Sequence, residues 1–294
     1  MMNCRACGSE RTEKRFPGAS LDLLRCQDCG AMFRPGEVTQ EDLSRLYNED
    51  YFLKSWPGSL GRFFSDFDPA RHNKTRFLQK QLAELTRLAG KKGRLLDVGC
   101  ANGVFVWMAK QSGWQAEGVE LSRFAAARGR EQFQVVIHEG TVDDMPDEPA
   151  FDVITLWDTL EHVSDPSHEL HACFQRLAPG GIIAVLTPDA SSLINRVVHA
   201  AHIVAPRALA PLLEKLYHAD HLTCFDRQSL ARALVKQGFQ IQWVQGYDEA
   251  PEDTETAGLV RLGVLAVRVA AMIAHREHEL LILAGKPKPR HHHS

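Results

Sequence analysis

Between Arg94 and Leu186, short apolar runs alternate with stretches whose apolar residues recur at helical spacing. The runs predict strands over Arg94–Val98, Gln115–Val119, Val135–His138, Phe151–Leu156 and Ile182–Leu186. Helices between them are predicted to open near Gly103, Ser122 and Asp165, the last with Pro166 in its first turn, where a missing N–H goes unnoticed. Asp226–Gln237 reads as a further helix closed by Gly238, Phe239, Ile241 and Trp243 alternate as a strand, and Glu279–Leu283 is a last short strand. Such alternation implies βαβ units and an α/β fold with a parallel sheet covered by helices on both faces. Ligands of such sheets lie beyond the carboxyl ends of the strands.

Upstream, Leu43, Leu46 and Tyr47 suggest a short linking helix, Trp56–Asp66 a loop, and Pro69–Ala89 a helix with Leu78, Leu82, Leu85 and Ala89 on one face. This divides the chain into an N-terminal module (1–36), a helical linker (37–68), a main domain (69–285) and a mobile tail (286–294). Residues 190–220 are long for a connection and rich in Leu, Ile and Val, which predicts a helical lid over a partly apolar acceptor pocket, or an insertion extending the core. In Gly258–His275, Arg261, Arg268 and His275 recur every seven residues on an otherwise apolar helix. That stripe predicts packing against the sheet or a second copy of the chain, as in a homodimer, and the arginines make it a poor membrane span.

With 44% hydrophobic and 24% charged residues among 294, the chain is neither disordered nor a small disulfide-stapled scaffold. A net charge of −3 supplies no long-range attraction for phosphate backbones, so nucleic acid is not an expected partner. The N-terminus has no apolar secretory run before its cysteines, and a cytoplasmic location is expected. Four of the seven cysteines fall as Cys4-x2-Cys7 and Cys26-x2-Cys29, each pair followed by a glycine, Gly8 and Gly30. Paired thiolates at that spacing predict a structural zinc ion rather than disulfides or redox pairs. Cys100, Cys173 and Cys224 read as buried small apolar residues, and His291–His293 are set aside from fold reasoning.

The segment carrying most chemistry is Leu95-Leu96-Asp97-Val98-Gly99-Cys100-Ala101-Asn102-Gly103, an apolar strand entering a small-residue turn and then a helix. Small residues there let the backbone approach a ligand. Glu120 ends the second strand, placed to accept hydrogen bonds from two ribose hydroxyls. A dinucleotide fingerprint would need glycines at 99, 101 and 104, where this chain has Gly99, Ala101 and Val104, so an adenosine ligand without a pyrophosphate fits better. On these residues, and on Gly140–Pro146, Phe151–Val163 and Leu177–Pro188, the chain resembles class I S-adenosylmethionine-dependent methyltransferases. The run Trp157-Asp158-Thr159-Leu160-Glu161-His162-Val163 is similar to the fourth-strand motif of the subgroup with an N-terminal cysteine-rich module. The resemblance implies a Rossmann-like sheet with a small zinc-ribbon-like module and S-adenosylmethionine as cofactor. It places Asp97 and Gly99 beside the methionine moiety, Ala101 and Gly103 in the cofactor turn, Glu120 and Leu121 at the ribose, Thr141, Val142 and Asp143 around the adenine, and Trp157 and Asp158 beside the cofactor.

Methyl transfer from a sulfonium is an in-line displacement that needs alignment and, for some acceptors, a base. His162, just past the fourth strand, and His221, in a segment similar to the subgroup's lid, are the candidates for that base; a purely structural histidine remains open for each. The expected acceptor is a small biosynthetic molecule reacting at carbon, oxygen or nitrogen. Two further readings are RNA methylation, disfavoured by the acidic balance, and a non-catalytic binding protein that retains the fold.

Overall fold

A computed structural model describes residues 3–16, 21–54, 73–146, 150–205, 210, 212–214, 216–247 and 270–289. The chain opens with three short antiparallel strands, β1 (Thr12–Lys14), β2 (Leu24–Cys26) and β3 (Met32–Phe33). Two short helices follow, α1 (Gln40–Leu46) and α2 (Glu49–Lys54). A reciprocal cap starts α1, in which the Thr39 hydroxyl accepts the Asp42 N–H and the Asp42 carboxylate accepts the Thr39 N–H. The longer α3 (Asn73–Ala89) leads into the main sheet.

That sheet is built from β4 (Arg94–Val98), α4 (Val104–Gln111), β5 (Gln115–Glu120), α5 (Arg123–Phe133), β6 (Val136–Glu139), β7 (Phe151–Trp157), α6 (Pro166–Arg176) and β8 (Leu177–Pro188). Then come α7 (Leu193–Val204), β9 (Thr223–Cys224), α8 (Arg227–Lys236), β10 (Gln240–Tyr247) and β11 (Glu279–Gly285). Seven strands lie in the order β10-β11-β8-β7-β4-β5-β6. β11 is antiparallel to both neighbours, and the strands from β8 to β6 are mutually parallel.

The central strands are buried on both faces, as their continuous apolar runs require. Successive side chains alternate between two cores. Leu95 and Val153 face Phe77, Leu78 and Leu82 of α3 and Phe105 of α4, whereas Leu96, Ile154 and Leu156 face Leu170 of α6 and Leu230 and Leu234 of α8. Asp165 caps α6 through the His168 N–H at 2.9 Å, and Ser122 caps α5.

The predicted strands and helices recur within a residue or two at most positions. β8 is the main difference, starting at Leu177 instead of Ile182. The Gly180 N–H donates to Lys286 O at 2.8 Å and the Lys286 N–H to Gly181 O at 2.9 Å, so the residue after β11 ties this segment to the sheet. A second difference is β9, which pairs with β3 and adds a fourth strand to the cysteine module's sheet, in the order β1-β2-β3-β9. Cys4, Cys26, Cys29 and Phe33 share one buried cluster with Leu156 and Leu230. Cys100, Cys173 and Cys224 are buried, as expected. The 56–66 loop, the 69–72 start of the third helix, the 258–269 part of the striped helix, parts of the predicted lid (206–209, 211 and 215) and the 290–294 end of the tail lie outside the described residues. Among the described residues no helix is long and apolar enough to cross a membrane.

Candidate active site

β4, β5, β7 and β8 all end at one edge of the sheet, where Val98 pairs with Val119 and Leu156, and Trp157 with Leu186. From Val98 the chain turns through Gly99, Ala101 and Gly103, whose φ values of +67°, +51° and +72° lie in the left-handed region. A Cβ on Gly99 would fall 2.4 Å from Thr159 Cγ2, so side chains are excluded there on steric as well as conformational grounds. Ala101 adopts the same region with a Cβ, at a cost of about 1 kcal/mol. Its N–H is held at 2.9 Å by Glu120 Oε2.

Glu120 is buried at the end of β5, and its other oxygen accepts the Ser122 N–H at 2.7 Å. The carboxylate keeps acceptor capacity for a ligand beyond these N–H donors. Burial raises the Glu120 pKa, offset in part by these N–H donors. Asp97 is also buried and accepts the Thr155 hydroxyl at 2.7 Å. Burial, with the nearby Glu120 charge adding, pushes its carboxyl up to about 8 against the Thr155 bond.

Among the described residues, two polar atoms at the end of β7 are buried without a hydrogen-bond partner, Trp157 Nε1 and Asp158 Oδ1. The Trp157 ring meets Phe77 and Phe105 edge-on, at 5.9 and 5.2 Å between centroids. Asp158 takes φ +50°, and its other oxygen pairs with Lys74 of α3. Leu121 is half-buried beside Glu120, and Val142 is fully buried in a 3-10 turn over Val142–Asp144. Thr141 opens that turn by bonding Asp144. Asp143 points away, to His168 Nε2 at 2.6 Å, so this turn offers a ligand its backbone rather than that carboxylate.

Beside this half of the site lies a second cluster. Ligand atoms of Glu161, His162 and His221 all lie within 4.8 Å of one another, and the two rings meet edge-on at 4.8 Å. The Glu161 carboxylate is buried, with the Thr187 hydroxyl against it but no well-formed hydrogen bond. Burial, then the charges of Asp158 and Glu279, raise its pKa well above the carboxylate range. His162 Nδ1 lies 3.1 Å from the Asp220 carbonyl, which accepts its N–H and leaves the Nε2 lone pair available. Burial lowers the His162 pKa and holds His221 at about 3, with His162 itself contributing to the latter. Both imidazoles are neutral at pH 7, the state a base requires. The three groups also have the ligand types of a divalent-cation site.

Sequence reasoning overlooked the wall behind this cluster. Tyr51 donates its hydroxyl to Asp220 Oδ2 at 2.8 Å, and the Tyr47 ring packs 6.0 Å from His162. Lys74, Glu161, Thr187 and Asp220 were likewise unassigned. Only Glu161 had a visible signal, a carboxylate between apolar Leu160 and the predicted functional His162.

At the N-terminus Cys4, Cys7, Cys26 and Cys29 converge, with all four sulfurs within 4.8 Å of one another. Cys4–Cys29 and Cys7–Cys26 are each 3.6 Å apart, and no cysteine is disulfide-bonded.

A seven-strand sheet in this order, with a glycine turn after its first strand and an acidic residue ending its second, is a Rossmann-like methyltransferase fold. Residues 70–243 match the family described as a methyltransferase domain, and the chain belongs to that family. It is similar to a ubiquinone biosynthesis O-methyltransferase of Alkalilimnicola ehrlichii, 32% identical over 127 residues, 40% of this chain and 51% of that one. Against the protein of that name from Pseudomonas fluorescens SBW25 it is 32% identical over 177 residues, 56% of this chain and 71% of that one. The chain thus spans about half the length of the first relative and more of the second. Among solved structures, a SAM-dependent methyltransferase from Archaeoglobus fulgidus superposes with a TM-score of 0.50 at 17% identity, covering 72% of this chain and 94% of that one. A Haemonchus contortus phosphoethanolamine N-methyltransferase in complex with S-adenosyl-L-methionine gives 0.51 at 18% identity, covering 87% of this chain and 62% of that one. At these identities the structural likeness speaks for the fold.

Proposed function

We propose that this protein transfers the methyl group of S-adenosylmethionine to a hydroxyl oxygen of a small molecule. The observation that carries the reading is the placement of the Gly99–Gly103 turn, Glu120 and the His162 cluster along one edge of the sheet, with buried polar atoms left for a ligand between them. The donor-site residues fit the methyl donor. Glu120 has lone pairs for the two ribose hydroxyls, beside Leu121. Trp157 Nε1 is a buried donor suited to the amino-acid carboxylate, and Asp158 Oδ1 a buried acceptor suited to the ammonium. Asp97 and the backbone of Gly99, Ala101 and Gly103 line the methionine end, and Thr141, Val142 and the backbone of Asp143 border the adenine.

S-adenosylmethionine, when bound, supplies a methyl group already activated on a sulfonium. The chain's residues then align the acceptor and take its proton. His162 Nε2 accepts that proton, while the Asp220 carbonyl fixes the tautomer and stabilises the charged ring. Tyr51 and Asp220 hold the ring's position, and His221 lines the acceptor side. The relatives named as O-methyltransferases support an oxygen acceptor, as do two neutral imidazoles, since a hydroxyl must lose its proton.

The four N-terminal cysteines fit zinc. A tetrahedron with Zn–S of about 2.3 Å needs sulfurs about 3.8 Å apart, and the closest pairs are at 3.6 Å. Four thiolates leave no coordination position for catalysis, so the ion's role is structural.

Calorimetry with S-adenosylmethionine tests the donor site. Glu120→Ala is expected to lose about a hundredfold in affinity, two charge-assisted hydrogen bonds being worth about 3 kcal/mol together. Unchanged affinity would remove the ribose assignment, and no binding by the unaltered protein would remove the methyl-transfer reading.

A further inference from the structure

Between the cysteine module and α7 lies a cleft of about 770 Å³, outside the donor site. Arg15 and Arg25 of the module and Arg196 of α7 line it, against one carboxylate, Asp226. Asp226 is already engaged, accepting the Ser229 N–H at 2.7 Å as the cap of α8. Among the described residues none of the three guanidiniums forms an ion pair. Arg15 is instead oriented by neutral partners. Burial, with the Arg15 and His202 charges adding, holds His199 at about 4. Neutral His199 accepts Arg15 Nη2 at Nδ1, 3.3 Å away, and donates from Nε2 to the Tyr217 hydroxyl at 2.7 Å. His202, 6% exposed, lines the same cleft with its Nε2 buried and, among the described residues, without a partner.

Three cations that form no ion pair among the described residues, beside a buried imidazole nitrogen that is unsatisfied there, make a site that an anion completes. Guanidinium forks match phosphoryl oxygens, and the excess of two positive charges matches a phosphoryl dianion. The cleft is much larger than a phosphate ion, and Phe16 and Met32 give it an apolar wall. We propose that this cleft binds an organic phosphate, its phosphoryl group held by Arg15, Arg25 and Arg196 and its body lying against Phe16 and Met32. Ala190 lines both this cleft and the small cavity beside Glu161 and His221, which favours a phosphorylated acceptor whose reacting end lies on that side of the cleft. That last role, as an acceptor site, rests on the methyl-transfer reading; the binding site itself does not.

The test is calorimetry on the full chain with inorganic phosphate, UMP and coenzyme A as separate probes, alongside S-adenosylmethionine. Arg25→Ala and Arg196→Ala change exposed side chains, and circular dichroism checks that both variants fold. The expected result is saturable binding of UMP or coenzyme A at least tenfold tighter than inorganic phosphate, weakened tenfold or more in both variants, with S-adenosylmethionine affinity unchanged. UMP as the better probe points to a nucleotide-linked ligand, coenzyme A to a phosphopantetheine-linked one. No saturable binding of either, affinity equal to that for inorganic phosphate, or affinity unaltered in the variants would overturn the proposal. No S-adenosylmethionine binding by the unaltered protein, with organic-phosphate binding intact, would overturn methyl transfer alone.

Discussion

Asp97 has a carboxyl held near 8 by burial, so the free protein keeps it protonated at pH 7. A ligand bearing a sulfonium and an ammonium favours its ionised form. With Asp97 at the methionine end as proposed, binding of S-adenosylmethionine is expected to release a proton, and affinity to rise with pH up to about 8, where the free protein has already lost it. Calorimetry at pH 7 in buffers of different ionisation enthalpy should show that release, and Asp97→Asn should abolish it. Equal enthalpies in all buffers would place the cationic end elsewhere. His162 shows the opposite sign. Burial lowers its pKa, so the proposed base stays neutral throughout the neutral range, and turnover is expected to fall only below the ordinary imidazole value of about 6.5. A kcat profile with its acid limb above that value would exclude His162 as the base.

The elements show why part of the site was legible and part was not. The Asp97–Gly103 turn and Glu120 are local devices, each a strand end with its next residues, and the spacing of apolar residues locates strand ends well. The His162 cluster is assembled from three distant segments: the turn after β7, the residues before β9 and the α1–α2 linker. The register that joins Tyr51 to Asp220 depends on packing far along the chain, which no periodicity reports. The same applies to β11, whose antiparallel insertion between β8 and β10 is a long-range pairing, and to β9, only two residues long. The α1–α2 segment looked like a linker because its polar face dominates, yet Phe52 is buried beside Ala125 and Tyr51 reaches the acceptor cluster. Tyr51→Phe removes one hydrogen bond that positions Asp220 and, through it, His162. The expected cost is about 1 kcal/mol, a roughly fivefold fall in kcat with S-adenosylmethionine affinity unchanged, read by steady-state kinetics and calorimetry on the same preparation. A loss of donor affinity instead would move Tyr51 to the cofactor half.

Across the whole molecule the cysteine module and the catalytic sheet are mechanically one. β3 pairs with β9, the Arg34 N–H donates to Leu222 O at 2.9 Å, and the Leu222 N–H donates to Glu161 O at 2.8 Å. One ladder thus runs from the cysteine knuckles to the residues flanking His162 and His221. Lys236 of α8 reaches Cys7 O at 2.8 Å, Arg5 reaches Ser164 O at 2.6 Å, and Phe33 is fully buried in the core shared by both parts. A metal that organises the four thiolates must then stabilise the acceptor half of the site as well as the module. Elemental analysis should find one zinc per chain, and Cys26→Ser should lose it. Calorimetric unfolding of the zinc-free protein should show a single transition at lower temperature, because the described core residues of the module share their clusters with the rest of the chain. Turnover should fall more than donor affinity, since the ladder ends at Glu161 and His221 while the Gly99–Gly103 turn is held by β5. Two separate transitions, with turnover intact after zinc loss, would make the module an independent appendage and cut the mechanical link to the acceptor site.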